Sequence, residues 1–413
     1  MHPFLTFLNQ APTAYHAVLE AEKKLKKAGA HLLDEQQAWS LKKGAAYYVK
    51  RGGSLIAFRI PKTKIESTIV LASHTDSPSL KLKPHPEFVK EGIAMIAVEV
   101  YGGPLLNSWL NRDLAIAGRV LFKDNKDTIQ EALVNLDDQL LTIPQLAIHL
   151  DRKVNDEGLI LNKQEHLNAL YGLNPPKEGF LIKALKKRLP LKELLAHDLY
   201  LYPVEPAKEL GANHELIAGY RLDNLASLYP SLQAFTESSS QNLQILALWD
   251  HEEIGSQTPS GAESPFFSHT LERIFIGLQL PREEQLRQLA GALCVSIDLT
   301  HAVNPNYSDK QDPRHKPELG NGVYIKTSAQ KRYATEAPGT KKLFEAAKKA
   351  KIELHLIAAR NDLPTGTTIG PIHAALTGMT TVDIGISQLS MHSARELIAK
   401  KDLETLEKLL KAL

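Results

Sequence analysis

Seven residues at 243–249, all but one apolar, run directly into Asp250-His251-Glu252-Glu253. A run of that length and composition reads as a strand, and one with almost no polar face suits a parallel strand covered on both sides. Four ionisable side chains then emerge at the strand's carboxyl end, where open α/β sheets bind their ligands. Successive side chains there diverge, so one glutamate can hold a metal while its neighbour faces a water molecule. On this stretch alone, a solvated acidic loop fits equally well.

At 413 residues the chain is longer than one hydrophobic core usually serves, so two domains are expected. Residues 1–28 carry Phe4, Leu5, Phe7, Leu8, Val18, Leu19 and Leu25 at helical spacing, with Gly29 as the stop. Residues 47–49 and 54–60 are expected to pair around Gly52-Gly53. Residues 68–73 form a second buried-type strand that runs into His74-Thr75-Asp76-Ser77-Pro78. From about Pro84 the texture changes to strand-like pieces, such as 93–101 and 114–122, separated by polar loops. Strand–helix alternation resumes after residue 218. The expected fold class is therefore α/β, with a domain of residues 1–84 and 219–413 interrupted by a mostly β domain of residues 85–218. Later strands are expected at 294–298, 323–326, 353–358 and 380–386. Helices are expected at 221–235, 267–278, 282–293, 340–351, 371–376 and 394–413.

Lys and Arg number 49 against 47 Asp and Glu, a formal balance of +2 that argues against a nucleic-acid platform. Lysine clusters such as Lys23-Lys24 and Lys26-Lys27 read as the wet face of a helix. Cys294 is the sole cysteine, so no intrachain disulfide can form. The first residues lack a basic segment followed by an apolar one, and no apolar run approaches the ~18 residues of a membrane span. No nucleic acid, no membrane and a cytoplasmic location are expected.

Five metal-type ligands fall at expected strand ends or the turns beside them: His74, Asp223, Glu253, Asp298 and His392. Each has a plainer explanation. A lone histidine is more often structural, and an aspartate opening a helix, as Asp223 would, is more often an N-cap. Their shared topological position is what would bring them over one edge of the sheet. Two histidines and three carboxylates suit zinc, or alternatively cobalt or manganese. Five ligands are too many for one tetrahedral zinc. They suit two metals ~3.5–4 Å apart, bridged by one carboxylate, that acidify a water and polarise a substrate carbonyl. A carboxylate outside the ligand set must then move the water's proton to the leaving amine, and Glu252 is placed for that. Asp76 could orient His74 from behind.

The segments carrying these residues resemble the M18 metallo-aminopeptidases, the aspartyl aminopeptidases and their relatives. They are Ser73-His-Thr-Asp-Ser-Pro78, Gly219-Tyr-Arg-Leu-Asp-Asn-Leu225, Asp250-His-Glu-Glu-Ile-Gly255 and Ser296-Ile-Asp-Leu-Thr-His-Ala-Val303. Asn361-Asp-Leu-Pro-Thr-Gly-Thr-Thr-Ile-Gly-Pro371 and Met391-His-Ser-Ala-Arg-Glu396 complete the set, in the family's order and over nearly the whole chain. The resemblance implies a zinc-peptidase (phosphorylase/hydrolase-like) catalytic domain interrupted by a β domain that mediates dimerisation. Dimers would assemble into a tetrahedral dodecamer. It implies two divalent ions, zinc foremost, with Asp223 bridging, His74 and Asp298 completing one site, and Glu253 and His392 the other. Glu252 would be the general base acting on peptide substrates.

The same resemblance implies that Lys326 and Tyr333 help form the substrate pocket. A buried ammonium would favour Asp or Glu there and be stranded by apolar residues; otherwise Lys326 reads as a surface lysine. It also implies that His149 reaches the active site of a neighbouring subunit. Three positions depart from the pattern: Asn111 replaces a frequent aspartate, Asn304 a frequent histidine, and Gln145 a histidine seen in some relatives. None belongs to the expected metal set. A neutral amino-terminal preference is the alternative within the family. Outside it stand another co-catalytic metallohydrolase, such as a carboxypeptidase, and an inactive metal-stabilised assembly or cargo protein. Retention of Glu252 with all five ligands argues against the last.

Overall fold

The computed structural model describes residues 2–175, 177, 179–238 and 241–413; Met1, the start of the first expected helix, lies outside them. Its larger sheet is built on four mutually parallel strands in the order Leu243–Trp249, Thr68–His74, Leu293–Ile297, Thr380–Leu389. Successive side chains leave a strand on opposite faces. Leu71, Leu246, Leu248, Val295 and Ile384 enter one core with Phe4, Leu25, Leu225, Leu232 and Leu406. Val70, Ala72, Ile245, Ala247 and Cys294 enter the other with Phe266, Leu271 and Ile274. Helices cover both faces, which is why these strands read as unbroken apolar runs. Each large side chain so buried contributes about 1.5–3 kcal/mol.

Ala46–Arg51 and Ser54–Arg59 form the expected antiparallel hairpin beside Leu243–Trp249. A Cβ at Gly53 would fall 2.2 Å from Asp250 Oδ2, so only glycine lets the turn pack on that strand end.

The second sheet has six strands, all antiparallel, running Ile129–Leu141, Leu114–Asp124, Leu191–Pro203, Ser79–Lys90, Ile93–Tyr101, Ala169–Gly172. It closes over its own core, which includes Leu80, Ile96, Val98, Trp109, Ile116, Leu136 and Leu199. Lys208–Leu210 and Leu216–Gly219 pair in the larger sheet. The chain passes from His74 into the second sheet through only Thr75, Asp76, Ser77 and Pro78. The architecture is the mixed α/β one expected, with an additional curled antiparallel sheet.

Two expected helices are corrected. Residues 1–28 do not form one helix but two, Pro3–Gln10 and Ala14–Lys27. Pro12 lacks an amide hydrogen and drives Ala11 out of the helical region, to φ −116° and ψ 59°. Residues 394–413 are not all helix either: Glu396–Ala399 is a strand, and the helix is Lys400–Ala412. Pairing on both sides at Leu397 and Ile398 outweighs the local helical preference. Among the described residues, no helix is long and apolar enough to cross a membrane.

Candidate metal centre

The parallel order carries the expected ligands to one edge. His74 ends its strand opposite Trp249, and Asp298 follows Ile297 directly. The Asp298 N–H donates to the Ile384 carbonyl at 3.0 Å. Its own carbonyl would lie 1.9 Å from a Cβ at Gly385, so the neighbouring strand needs glycine there. Past Trp249 the backbone turns at His251 (φ +66°) into the short helical turn Glu252–Ile254. That turn parts the glutamates: Glu252 Oε2 lies 4.0 Å from His74 Nε2, and Glu253 Oε2 lies 3.4 Å from His392 Nε2.

Asp223 sits between the histidines, Oδ1 at 3.3 Å from His74 Nε2 and Oδ2 at 3.5 Å from His392 Nε2. Asp298 Oδ1 is 3.5 Å from His74 Nε2. His74, Asp223 and Asp298 bring ligand atoms within 4.8 Å of one another, as do Asp223, Glu253 and His392, and His74, Glu252 and Glu253. Asp223 is therefore not an N-cap. It leaves the helical conformation (φ −80°, ψ 105°) at the start of Leu222–Glu237 and turns its carboxylate to the histidines. Arg221, His251 and His392 all adopt left-handed backbone at φ +66°. Such residues cost about 1–3 kcal/mol each and persist only where the surroundings hold them.

Asp76 does more than orient a ring. His74 Nδ1 lies 3.4 Å from its Oδ1 and 3.1 Å from its carbonyl oxygen. Its carboxylate also accepts the Glu252 and Glu253 N–H groups at 3.2 and 3.1 Å, and the Tyr101 hydroxyl at 2.7 Å. Sequence reasoning missed Tyr101, which arrives from the second sheet with no local signal. It also missed Glu396, buried at the end of a matched segment and accepting the N–H groups of Asp223 and His392.

Lys326 is not a surface lysine. It is 1% exposed, donates to the Leu299 carbonyl at 2.8 Å, and lies 3.7 Å from Asp298 Oδ2. Its Nζ stands 5.3 Å over the Tyr333 ring. Burial opposes the ammonium, but Asp298 and Tyr333 outweigh it and keep the pKa above the usual lysine value. His149 lies in an exposed turn and, within one chain, enters none of these contacts. Two of the departing positions face each other: Asn111 Oδ1 accepts the Gln145 N–H at 2.9 Å. The third, Asn304, caps its own turn by accepting the Asn306 N–H at 3.0 Å.

The donor set fits divalent cations. Asp223 Oδ1 and Glu253 Oε1 are buried without a hydrogen-bond partner among the described residues, a state that metal coordination would satisfy. Burial, with Asp298 and Asp76 outdoing the pull of His74, pushes Glu252 up to about 8. Burial and Asp223 drive Glu253 well above its usual range. For His392, burial is overcome by Asp223 and Glu253, which lift it to about 10. Carboxylates crowded this closely around two imidazoles form the nitrogen–oxygen set that zinc takes.

A family model described as Aminopeptidase I zinc metalloprotease (M18) matches residues 7–413. The "Probable M18 family aminopeptidase 2" of Streptomyces avermitilis is 44% identical over 408 residues, 96% of this chain and 93% of that protein. A chain from the cryo-EM structure of the Ape4 and Nbr1 complex superposes with a TM-score of 0.93 at 34% identity, covering 99% of this chain and 84% of that one. The S. cerevisiae mApe1 dodecamer gives a TM-score of 0.85 at 28% identity, with 99% and 94% covered. With fold, sequence and family model agreeing over almost the full length, the chain belongs to the M18 aminopeptidases, zinc metalloproteases that hydrolyse peptides.

Proposed function

We propose that the protein removes single amino-terminal residues from peptides at a dinuclear zinc centre, with a preference for Asp or Glu. The observation that carries this is Asp223, with one oxygen toward His74 at 3.3 Å and the other toward His392 at 3.5 Å. In this assignment His74, Asp223 and Asp298 would hold one ion, and Asp223, Glu253 and His392 the other. Zinc, or cobalt or manganese in its place, would supply Lewis-acid polarisation of the scissile carbonyl and a water acidic enough to react near neutral pH. Glu252, outside the ligand set and beside His74, takes the proton and returns it to the leaving amine. Asp76 holds His74 and the Glu252–Glu253 turn in register.

Lys326 is proposed to face the first side chain of the substrate, with Tyr333 beside it. A carboxylate there pairs with the ammonium; an apolar side chain strands it. His149 is proposed to complete the active site of a neighbouring subunit. The segment around it exposes Leu146, Ile148 and Leu150 by 58, 46 and 74%, an uncovered apolar run that supports burial against a second copy. In this scheme the inserted unit expected at residues 85–218, whose sheet runs from Ser79 to Pro203, is the pairing unit, and the larger sheet with its helices is the catalytic one. Dimers assemble into a tetrahedral dodecamer in the cytoplasm; the mApe1 neighbour is itself a dodecamer.

The test is release from a panel of amino-terminal residues, with chelator and then with each metal restored. Activity should vanish and return, fastest on Asp and Glu. Turnover that survives complete metal removal would sink the metallohydrolase, whereas faster release of Leu or Ala would move the preference to neutral residues.

A further inference from the structure

We infer that Glu396 is a positioning residue that sets Asp223 and His392 at the spacing a metal ion requires, a role that rests on the dinuclear centre proposed above. Glu396 is 2% exposed, and its two oxygens are divided between two ligand residues. Oε2 accepts the Asp223 N–H at 3.0 Å, and Oε1 accepts the His392 N–H at 2.8 Å. One carboxylate thus ties together, through the main chain, two segments distant in sequence. It does so from a fixed base, because Glu396 pairs with Gly219 at the start of a strand held between two others.

The backbone at both ends of this tie is unusual. Asp223 has left the helical region at the opening of its helix, and His392 is left-handed at φ +66°. A left-handed histidine is uncommon, and the Glu396 oxygen that accepts the His392 N–H helps hold it there. The arrangement repeats on the other side of the centre, where Asp76 accepts the N–H groups of Glu252 and Glu253 at 3.2 and 3.1 Å. Glu253 and His392, assigned to the same ion, thus hang on two different buried carboxylates. Glutamine cannot do what Glu396 does. It has one oxygen to accept with, and its amide nitrogen would meet the second N–H donor against donor.

The experiment titrates chelated wild type, Glu396→Gln and Glu396→Asp with Zn2+ and Co2+. It reads ions bound per chain, the cobalt absorption spectrum, kcat and KM separately, and Tm. In Glu396→Gln, the ion held by His74 and Asp298 should be weakened less, because Asp223 is the only one of its ligands that Glu396 touches. The ion held by Asp223, Glu253 and His392 should bind about 10–100-fold more weakly, with an altered cobalt spectrum. The loss should fall on kcat rather than KM. Glu396→Asp keeps both acceptor oxygens but is too short to hold both amides, so its loss should be intermediate. A folded variant that binds both ions with wild-type affinity and spectrum overturns the role, whatever its Tm. So does failure of both variants to fold, which would make Glu396 a determinant of the fold alone. A wild-type chain that takes up fewer than two ions overturns the dinuclear centre instead, and does so before any substitution is made.

Discussion

The two sheets contribute to the site in opposite ways. The larger one delivers His74, Asp298 and the Glu252–Glu253 turn from the ends of strands buried almost throughout, so the core itself fixes them. The second sheet delivers Tyr101 from a paired strand onto Asp76, yet carries His149 in an exposed turn that touches none of the cluster. Groups whose work needs only this chain are built on strand ends. The group proposed to work in another subunit stands on a loop among uncovered apolar side chains.

That contrast can be broken most forcefully at the larger sheet. Glu252→Gln should retain two ions and lose roughly 10²–10⁴-fold in turnover, whereas Glu253→Ala should lose an ion. Near-normal turnover in metal-loaded Glu252→Gln would remove the base from this edge. Lys326→Ala should cost about 10–100-fold more on Asp and Glu substrates than on Leu or Ala, the worth of one charged pair. Equal losses across the four would take Lys326 out of the pocket.

Acid probes the same sheet through His373, which accepts the Trp249 indole N–H at 2.9 Å and which burial holds down at about 4. Its folded pKa lies below the unfolded value, so its contribution is complete above about pH 6.5 and is lost as pH falls toward 4. By pH 5 the loss should reach about 2 kcal/mol. Denaturation midpoints of chelated wild type and His373→Gln at pH 7 and 5 measure it; parallel behaviour would exonerate His373. The smallest effect belongs to the second sheet. His149→Ala should lower turnover about tenfold, one hydrogen bond's worth, at unchanged metal content. An unaffected rate in the assembled protein would remove His149 from the chemistry and leave the Tyr101 contact with Asp76 as the second sheet's contribution.

Much of the larger sheet is legible because its strands are apolar on both faces and stop at ionisable residues. The strand at 243–249 and the ionisable residues that follow it are read from that pattern alone; what those residues do is not. What sequence left open was decided by distant partners. Asp223 opens a helix and so resembles an N-cap until His74 and His392 are seen on either side of it. Glu396 stands in a stretch of good helix formers, and only pairing with residues near 217 makes it a strand. Tyr101 could not be found at all, since nothing local marks a tyrosine that will meet Asp76 in another sheet. The break at Pro12, by contrast, was available from local chemistry.

Four residues separate His74 from the first strand of the second sheet, and Tyr101 of that sheet holds Asp76 between them. So short a coupling has no slack. A tilt of the second sheet is delivered to Asp76 as a pull, and through it to the amides of both glutamates. The joint would act as a lever with its short arm at Asp76, so a force on the second sheet would reach the carboxylate–histidine cluster.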